Sequence, residues 1–368
     1  MSKGRPDLRM EMPDDFYLPI PVETTNITSL SPFLVPQTHL GSPGVFMSMS
    51  AFMLFTIIFG FPLNVLTIVC TAKYKKLRSH LNYILVNLSV ANLIVLCFGS
   101  TMAFYSFSQM YFSLGVVACK LEGFTATLGG IMSLWSLAVV AFERFLVICK
   151  PMGSFTFRDT HAIAGCALTW IIALVAAVPP LVGWSRYIPE GLQCSCGPDW
   201  YTVNNKWNNE SYVLFLFCFC FGFPLAIIVF SYGRLLLTLH AVAKQQEQSA
   251  TTQKAEREVT RMVIVMVAAF LLCWLPYASF ALWASTHRGE SFDLRMASIP
   301  SVFSKASTVY NPIIYIMMNR QVRKDLILCS ARQQETFCEP RWTSNHRQIS
   351  SLLGYLYHLK HKDNSFRW

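Results

Sequence analysis

A lysine stands inside one of the most apolar stretches of the chain, "SVFSKASTVYNPIIYIMMN", which runs from Ser301 to Asn319. An ionisable group at membrane depth is costly and by default marks a functional site. Two chemistries suit Lys305. A buried ammonium can pair with a carboxylate, and a desolvated lysine can condense with a carbonyl compound to form a Schiff base. Two carboxylates are placed to meet it: Glu122 in "CKLEGF" and Glu190 in "IPEGLQCSC". Glu122 is the better partner because it too lies within an apolar run. The bland alternative is a structural Lys–Glu bridge, disfavoured because such a bridge gains little over an apolar pair. Spacing leaves pairing and condensation both open.

Other polar groups interrupt the apolar runs. Asn64, Asn92 and Asn311 need partners in lipid and are expected to face one another inside a bundle. Pro312 in "NPIIY", a motif ending at Tyr315, removes a backbone hydrogen bond and frees a carbonyl, so a bend is expected there. Pro276 in "CWLPY" does the same for another run. Glu143 and Arg144 in "AFERFLVICK" form an acidic–basic pair at the end of a third run. Arg144 could reach a carboxylate at the base of another helix, and Glu256 in "QKAEREV" is the candidate. An arginine snorkelling to the interface is the simpler reading.

The elements that position these groups are membrane helices. The chain is 53% hydrophobic and only 14% charged, too apolar for an ordinary soluble domain. Runs of about 20 apolar residues lie near 45–70, 82–105, 117–142, 162–184, 211–236, 260–285 and 296–318. The expected fold is therefore all-α: a seven-transmembrane bundle over 45–318, a tail over 1–44 and another over 319–368. The formal charge of +10 sits in short clusters beside the runs, as in "TAKYKKLRSH" and "RQVRKD", while "FSQMYFSLGVVAC" has none. That is the positive-inside pattern; it excludes a nucleic-acid face and puts the N-terminus outside. With no signal-peptide h-region, the first span is expected to act as the insertion signal. "NIT" at Asn26 is then an outward glycosylation acceptor; "NES" at Asn209 abuts a span. The 12 cysteines mostly fall inside apolar runs. Cys119 and the "CSC" at Cys194–Cys196 lie on the outer side, where one bridge to either loop cysteine is possible.

Taken together, "FxxKxxxxxNPIIY", "CKLEGFTATLGG", "FERFLVICKP", "GWSRYIPEGLQCSCGPDWY", "QQEQSATTQKAEREVTRM" and "CWLPYA" resemble the vertebrate visual opsins, which are rhodopsin-like G-protein-coupled receptors. The resemblance covers about residues 15–322. "DDFYLPIPVETTNITSLSPFLVPQTHL" is most similar to the short-wavelength-sensitive type 2 cone opsins. It implies a light-activated receptor, not an enzyme, with a short cytoplasmic helix after the seventh span. It implies 11-cis-retinal (or 3,4-didehydroretinal) on Lys305 as a protonated Schiff base, Glu122 as counterion and Cys119–Cys196 as the bridge. Trp274 would pack on the chromophore, with Glu190, Thr127, Phe270 and Ala278 in its pocket. Phe270 and Ala278 lack the hydroxyl that red-shifted relatives carry, which implies blue or violet absorption. Glu190 replaces the chloride-binding His of long-wavelength opsins. Glu143, Arg144, Glu256, Asn311, Pro312 and Tyr315 would form the switch toward transducin, in the multi-pass membrane of photoreceptor outer segments. Asn92 stands where the family often has Asp, and "ERF" departs from "ERY".

After Gln321 the resemblance is expected to stop. The basic tail "VRKDLILCSARQQETFCEPRW" lacks the Ser/Thr-rich pattern that receptor kinase and arrestin use. Gln-Val-Arg can be encoded by a splice-donor consensus, so a read-through junction is the expected origin. Rival readings are a retinal photoisomerase or non-visual opsin, a receptor for a diffusible ligand, and a channel or transporter. The intact "ERF", Lys305 and the lack of an internal repeat argue against them in turn.

Overall fold

The computed structural model describes residues 31–149, 157–202, 205–244, 250–287 and 293–319. All of them belong to one compact unit, Met1–Asn319. Asn26 and the short helix expected after the seventh span lie outside the described residues. So does the side chain of Glu256.

Helix α1 (Pro43–Lys73) opens with proline at its first turn, where the missing N–H costs nothing. Helix α2 (His80–Gln109) follows, capped by the Ser79 hydroxyl accepting from the Asn82 N–H. Then come α3 (Gly115–Cys149) and α4 (Asp159–Val182). Helix α5 starts at Asn209, passes through a wider π-helical stretch at Leu216–Gly222 and ends at Lys244. Helix α6 spans Ala250–Thr286. Each of these six holds an 18-residue stretch of mean hydropathy 1.9–2.8, enough to cross a bilayer. Helix α3 is the axis of the bundle: 72% of its apolar stretch is buried, against 28% in α1, α4 and α6.

The seventh span is divided. Helix α7 (Ser298–Ser304) and helix α8 (Ser307–Met318) are separated at Lys305 and Ala306. The bonds Lys305 N–H to Val302 and Ala306 N–H to Phe303 reach only three residues back, and ψ is −19° at both residues. That is 3₁₀ geometry. The bend expected at Pro312 falls within α8, which continues through the proline. The backbone departs from the α-helix seven residues earlier, at the lysine itself. The carbonyl that Pro312 leaves without its usual donor belongs to Thr308. It accepts from Asn64 Nδ2 of α1 at 2.9 Å, so the defect is repaired from the neighbouring helix.

Asn92 Nδ2 donates to Asn64 Oδ1 at 3.1 Å. Asn311 was expected to join this network and does not. Its amide is buried with no hydrogen-bond partner and borders a small cavity of about 190 Å³ shared with Asn92, Ser89 and Tyr315. Tyr315 instead donates to Asn82 Oδ1 at 3.2 Å.

Among the described residues, the only strands form an antiparallel hairpin. Strands β1 (Tyr187–Glu190) and β2 (Ser195–Pro198) pair with Tyr187 opposite Pro198 and Glu190 opposite Ser195. Every residue of both strands is buried. At the open end of the hairpin, Arg186 Nε donates to Asp199 Oδ2 at 2.8 Å.

Candidate functional site

The hairpin carries polar groups down into the bundle. The disulfide is Cys119–Cys196; Cys194, the other candidate, is a free buried thiol. The bridge ties β2 to the first turns of α3, and Glu122 stands three residues further along that helix. Two neighbours of the bridge then reach Glu122: the Cys196 backbone N–H donates to Oε2, and Ser195 Oγ donates to Oε1 at 2.9 Å. From the far side, Lys305 Nζ donates to Glu122 Oε1 at 2.7 Å and to Ser195 Oγ at 2.6 Å. Glu122 is 0% exposed and Lys305 4%. The pair is therefore fully desolvated, and three donors converge on one carboxylate. These hydrogen bonds hold the carboxylate and the ammonium side by side.

Lys305 lines a cavity enclosed by α3, α5, α6 and the hairpin. Its walls are apolar: Ile131, Leu134, Phe217, Phe270, Trp274 and Ala281 among them, with Thr127 and Ala278 also lining it. Trp274 stacks on Phe270 with ring centres 5.7 Å apart. Its indole N–H donates to Ser307 Oγ at 3.1 Å, just past the 3₁₀ turn. Gly130 makes room for that ring. A Cβ added there would sit 2.3 Å from the tip of the indole.

Glu190 lines the same cavity near Lys305. It accepts from Tyr277 Oη at 2.8 Å and from the Ser301 hydroxyl. Burial pushes its carboxyl up to about 7, and the Ser301 bond and the charge of Lys305 oppose that rise. Glu190 is thus poised between neutral and charged, whereas Glu122 is locked in an ion pair.

At the opposite end of the bundle, Arg144 binds its neighbour Glu143 through both Nε and Nη2; the side chain of Glu256, the acid expected to share it, lies outside the described residues. The fork of the guanidinium makes such a two-point contact possible between adjacent residues. His80 Nε2 lies 2.7 Å from Glu143 Oε1, a partner the sequence reading missed.

Ser195, Ser301, Tyr277 and Gly130 were also missed. "CSC" drew attention to its sulfurs, and an isolated hydroxyl or glycine in a span has no spacing signature. Asn209 is 2% exposed, so its "NES" is inaccessible to glycosylation.

The sequence profile described as "7 transmembrane receptor (rhodopsin family)" matches residues 63–315. The blue-sensitive opsin of Gallus gallus is 71% identical over 345 residues, covering 93% of this chain and 96% of the relative. That of Psalidodon fasciatus is 65% identical over 353 residues, covering 95% and 99%. A match over 95% of 368 residues cannot stop at Gln321, so this likeness continues into the tail, further than the motifs alone suggested. Among solved structures, squid rhodopsin superposes with a TM-score of 0.72 at 27% identity, covering 80% of this chain and 85% of that one. The protein is an integral membrane receptor that couples to a G protein, not an enzyme. The chain belongs to the rhodopsin family of seven-transmembrane receptors, and within it to the vertebrate short-wavelength cone opsins.

Proposed function

We propose that this receptor is a blue- or violet-absorbing cone pigment that holds 11-cis-retinal (or its 3,4-didehydro form) on Lys305 and activates transducin in outer-segment membranes. The observation that carries the reading is a desolvated lysine, paired with Glu122 at 2.7 Å, in the wall of an apolar cavity. The residues suit such a group. The cavity lining is mostly apolar, Trp274 and Phe270 offer flat faces, and Lys305 is the one ammonium among the residues that line it. Bound through a protonated Schiff base, retinal supplies visible absorption and a light-driven change of shape.

The chain's own residues do the rest. Glu122 stabilises positive charge at the Lys305 nitrogen and is the nearest base to take a proton from it. Excitation moves that charge away from the nitrogen, so a counterion placed there favours the ground state and widens the gap. Phe270 and Ala278 offer no hydroxyl to offset this. Trp274 couples the cavity to Ser307, and so to the 3₁₀ turn below Lys305. Loss of the Lys305–Glu122 pair loosens α6 against α7 and α8, and Arg144 leaves Glu143 to open a groove for the G protein. This is a population shift between two packings of one bundle. The hairpin and N-terminus face outside, and the Arg144 end faces the cytoplasm. Glycosylation at Asn26 fits that orientation. Contacts with receptor kinase and arrestin are left unassigned, because the tail departs from the Ser/Thr-rich pattern.

Incubation with 11-cis-retinal tests the reading. A visible band that survives removal of unbound retinal, is absent from Lys305→Ala, and drives nucleotide exchange on transducin in light supports it. A visible covalent pigment formed by Lys305→Ala overturns it.

A further inference from the structure

The turn between α1 and α2 concentrates positive charge. Lys73 ends α1, and Lys75, Lys76 and Arg78 follow before His80 opens α2. The chain has no Asp or Glu between Glu23 and Glu122, so neither helix joined by this turn carries an acid. Lys73, Lys75 and Arg78 are exposed. Among the described residues, none of the three pairs with a carboxylate. The turn stands at the Arg144 end of the bundle, since His80 Nε2 is 3.4 Å from Arg144 Nη2. The acid at that end, Glu143, is 0% exposed and held by Arg144 and His80.

The backbone that presents these cations is fixed. Lys75–Leu77 form a single 3₁₀ turn, and the Leu77 side chain, 1% exposed, anchors it in the bundle. Asn82 Nδ2 donates to the Leu77 carbonyl at 2.7 Å, and Asn82 Oδ1 accepts from Tyr315 of α8 at 3.2 Å. Arg78 Nη2 donates to the Ala72 carbonyl at 2.5 Å, which closes the turn onto the end of α1. A preformed turn lowers the ordering cost of binding. Its depth is set by its length. Even fully extended, Tyr74–Ser79 could rise only about 10 Å from the helix ends, and the 3₁₀ turn keeps them lower. The headgroup layer is about 5–8 Å thick on each side of a bilayer, so the cations lie at headgroup level.

We propose that the α1–α2 turn is a docking site for the polyanionic headgroup of a phosphoinositide in the cytoplasmic leaflet. The inference rests on the orientation proposed above, which puts the Arg144 end in the cytoplasm. The lysines supply point charges, and the guanidinium of Arg78 carries more N–H groups than the one that closes the turn. Phosphate oxygens accept from both kinds of donor. Lys73, Lys75, Lys76 and Arg78 together match several negative charges on one headgroup. A singly charged headgroup engages fewer of them, and a zwitterionic one gains no net attraction.

Native mass spectrometry of the full-length receptor in detergent tests this, with phosphatidylinositol bisphosphate, phosphatidylserine and phosphatidylcholine as the probes. Binding is expected to weaken in that order, and equal binding of all three overturns the proposal. The double variant Lys73→Gln, Lys75→Gln should bind the phosphoinositide about 25-fold more weakly, about fivefold for each lysine. Lys120→Gln removes the same charge from the outer end of α3 and should change nothing. A double variant within about threefold of wild type, or an equal loss in Lys120→Gln, overturns the proposal. The wild type gives a second reading: the phosphoinositide should protect Lys73 and Lys75 from acetylation, read by peptide mass. Protection confined to lysines beyond Asn319 overturns it. A double variant that binds the lipid normally but loses nucleotide exchange also overturns it, and marks the turn as a G-protein contact. Lipid binding needs neither retinal nor light. A receptor that binds the phosphoinositide as expected but forms no pigment therefore tells against the proposed function and leaves this site standing.

Discussion

Replacing Glu122 by Gln removes one charge and leaves the shape of the site intact. In the native arrangement Lys305 Nζ has two acceptors, Glu122 Oε1 at 2.7 Å and Ser195 Oγ at 2.6 Å. After the substitution the cation keeps only neutral partners, in a site with no exposure at Glu122. Breaking a buried pair by neutralising one partner costs about 3–5 kcal/mol. At about 1.4 kcal/mol per factor of ten, the ratio of charged to neutral nitrogen falls by roughly two to three and a half orders of magnitude. With retinal bound, the charged form absorbs in the visible and the neutral form in the near ultraviolet. The assay is therefore the ratio of the two bands at neutral pH in chloride-free buffer. The wild type should show the visible band, and Glu122→Gln should show the ultraviolet one. Added chloride should restore part of the visible band by replacing the lost anion. Ser195→Ala, which removes a neutral hydrogen bond worth about 1 kcal/mol, should shift the ratio by only about fivefold. A visible-to-ultraviolet ratio within tenfold of wild type in Glu122→Gln would refute the assignment of Glu122 as the stabilising charge.

Glu190 should make the spectrum sensitive to pH. Its carboxyl ionises near 7, so below that value it is neutral, and above it a second negative charge acts on Lys305. That charge favours the ground state, so the peak should move to shorter wavelength as pH rises through 7, and Glu190→Gln should hold it constant. Gly130→Ala places a methyl carbon 2.3 Å from the Trp274 ring; dark-state thermal stability should fall and the peak should shift, and an unchanged spectrum and stability would contradict the packing. Cys196→Ala should abolish pigment formation because it releases β2 from α3, whereas Cys194→Ala should regenerate at near wild-type yield.

The number and type of elements were legible because a bilayer demands long apolar runs, and such runs need no tertiary context to be read. The hairpin was not. "YIPE" and "SCGP" are too short and carry no alternation of apolar and polar residues, because both strands are buried on both faces. Lys305 and Glu122 were singled out because each is an anomaly in its own run. Ser195, Ser301 and His80 are ordinary residues, made special only by a partner more than 60 positions away. The fate of the carbonyl that Pro312 frees was hidden for a related reason. Proline announces a missing donor, but Asn64 of α1 supplies a replacement, and no local pattern predicts that.

That replacement has a mechanical meaning. Because Asn64 is bonded to Gly60 of its own helix at 2.8 Å and to Thr308 at 2.9 Å, the seventh span is clamped to α1 one turn beyond Lys305. On the other flank, Trp274 of α6 donates to Ser307 at 3.1 Å. A push delivered at Lys305 thus meets an abutment on one side and a hinge pin on the other. In the activation proposed above, the recoil would be directed toward α6, with α1 as the frame against which the receptor turns.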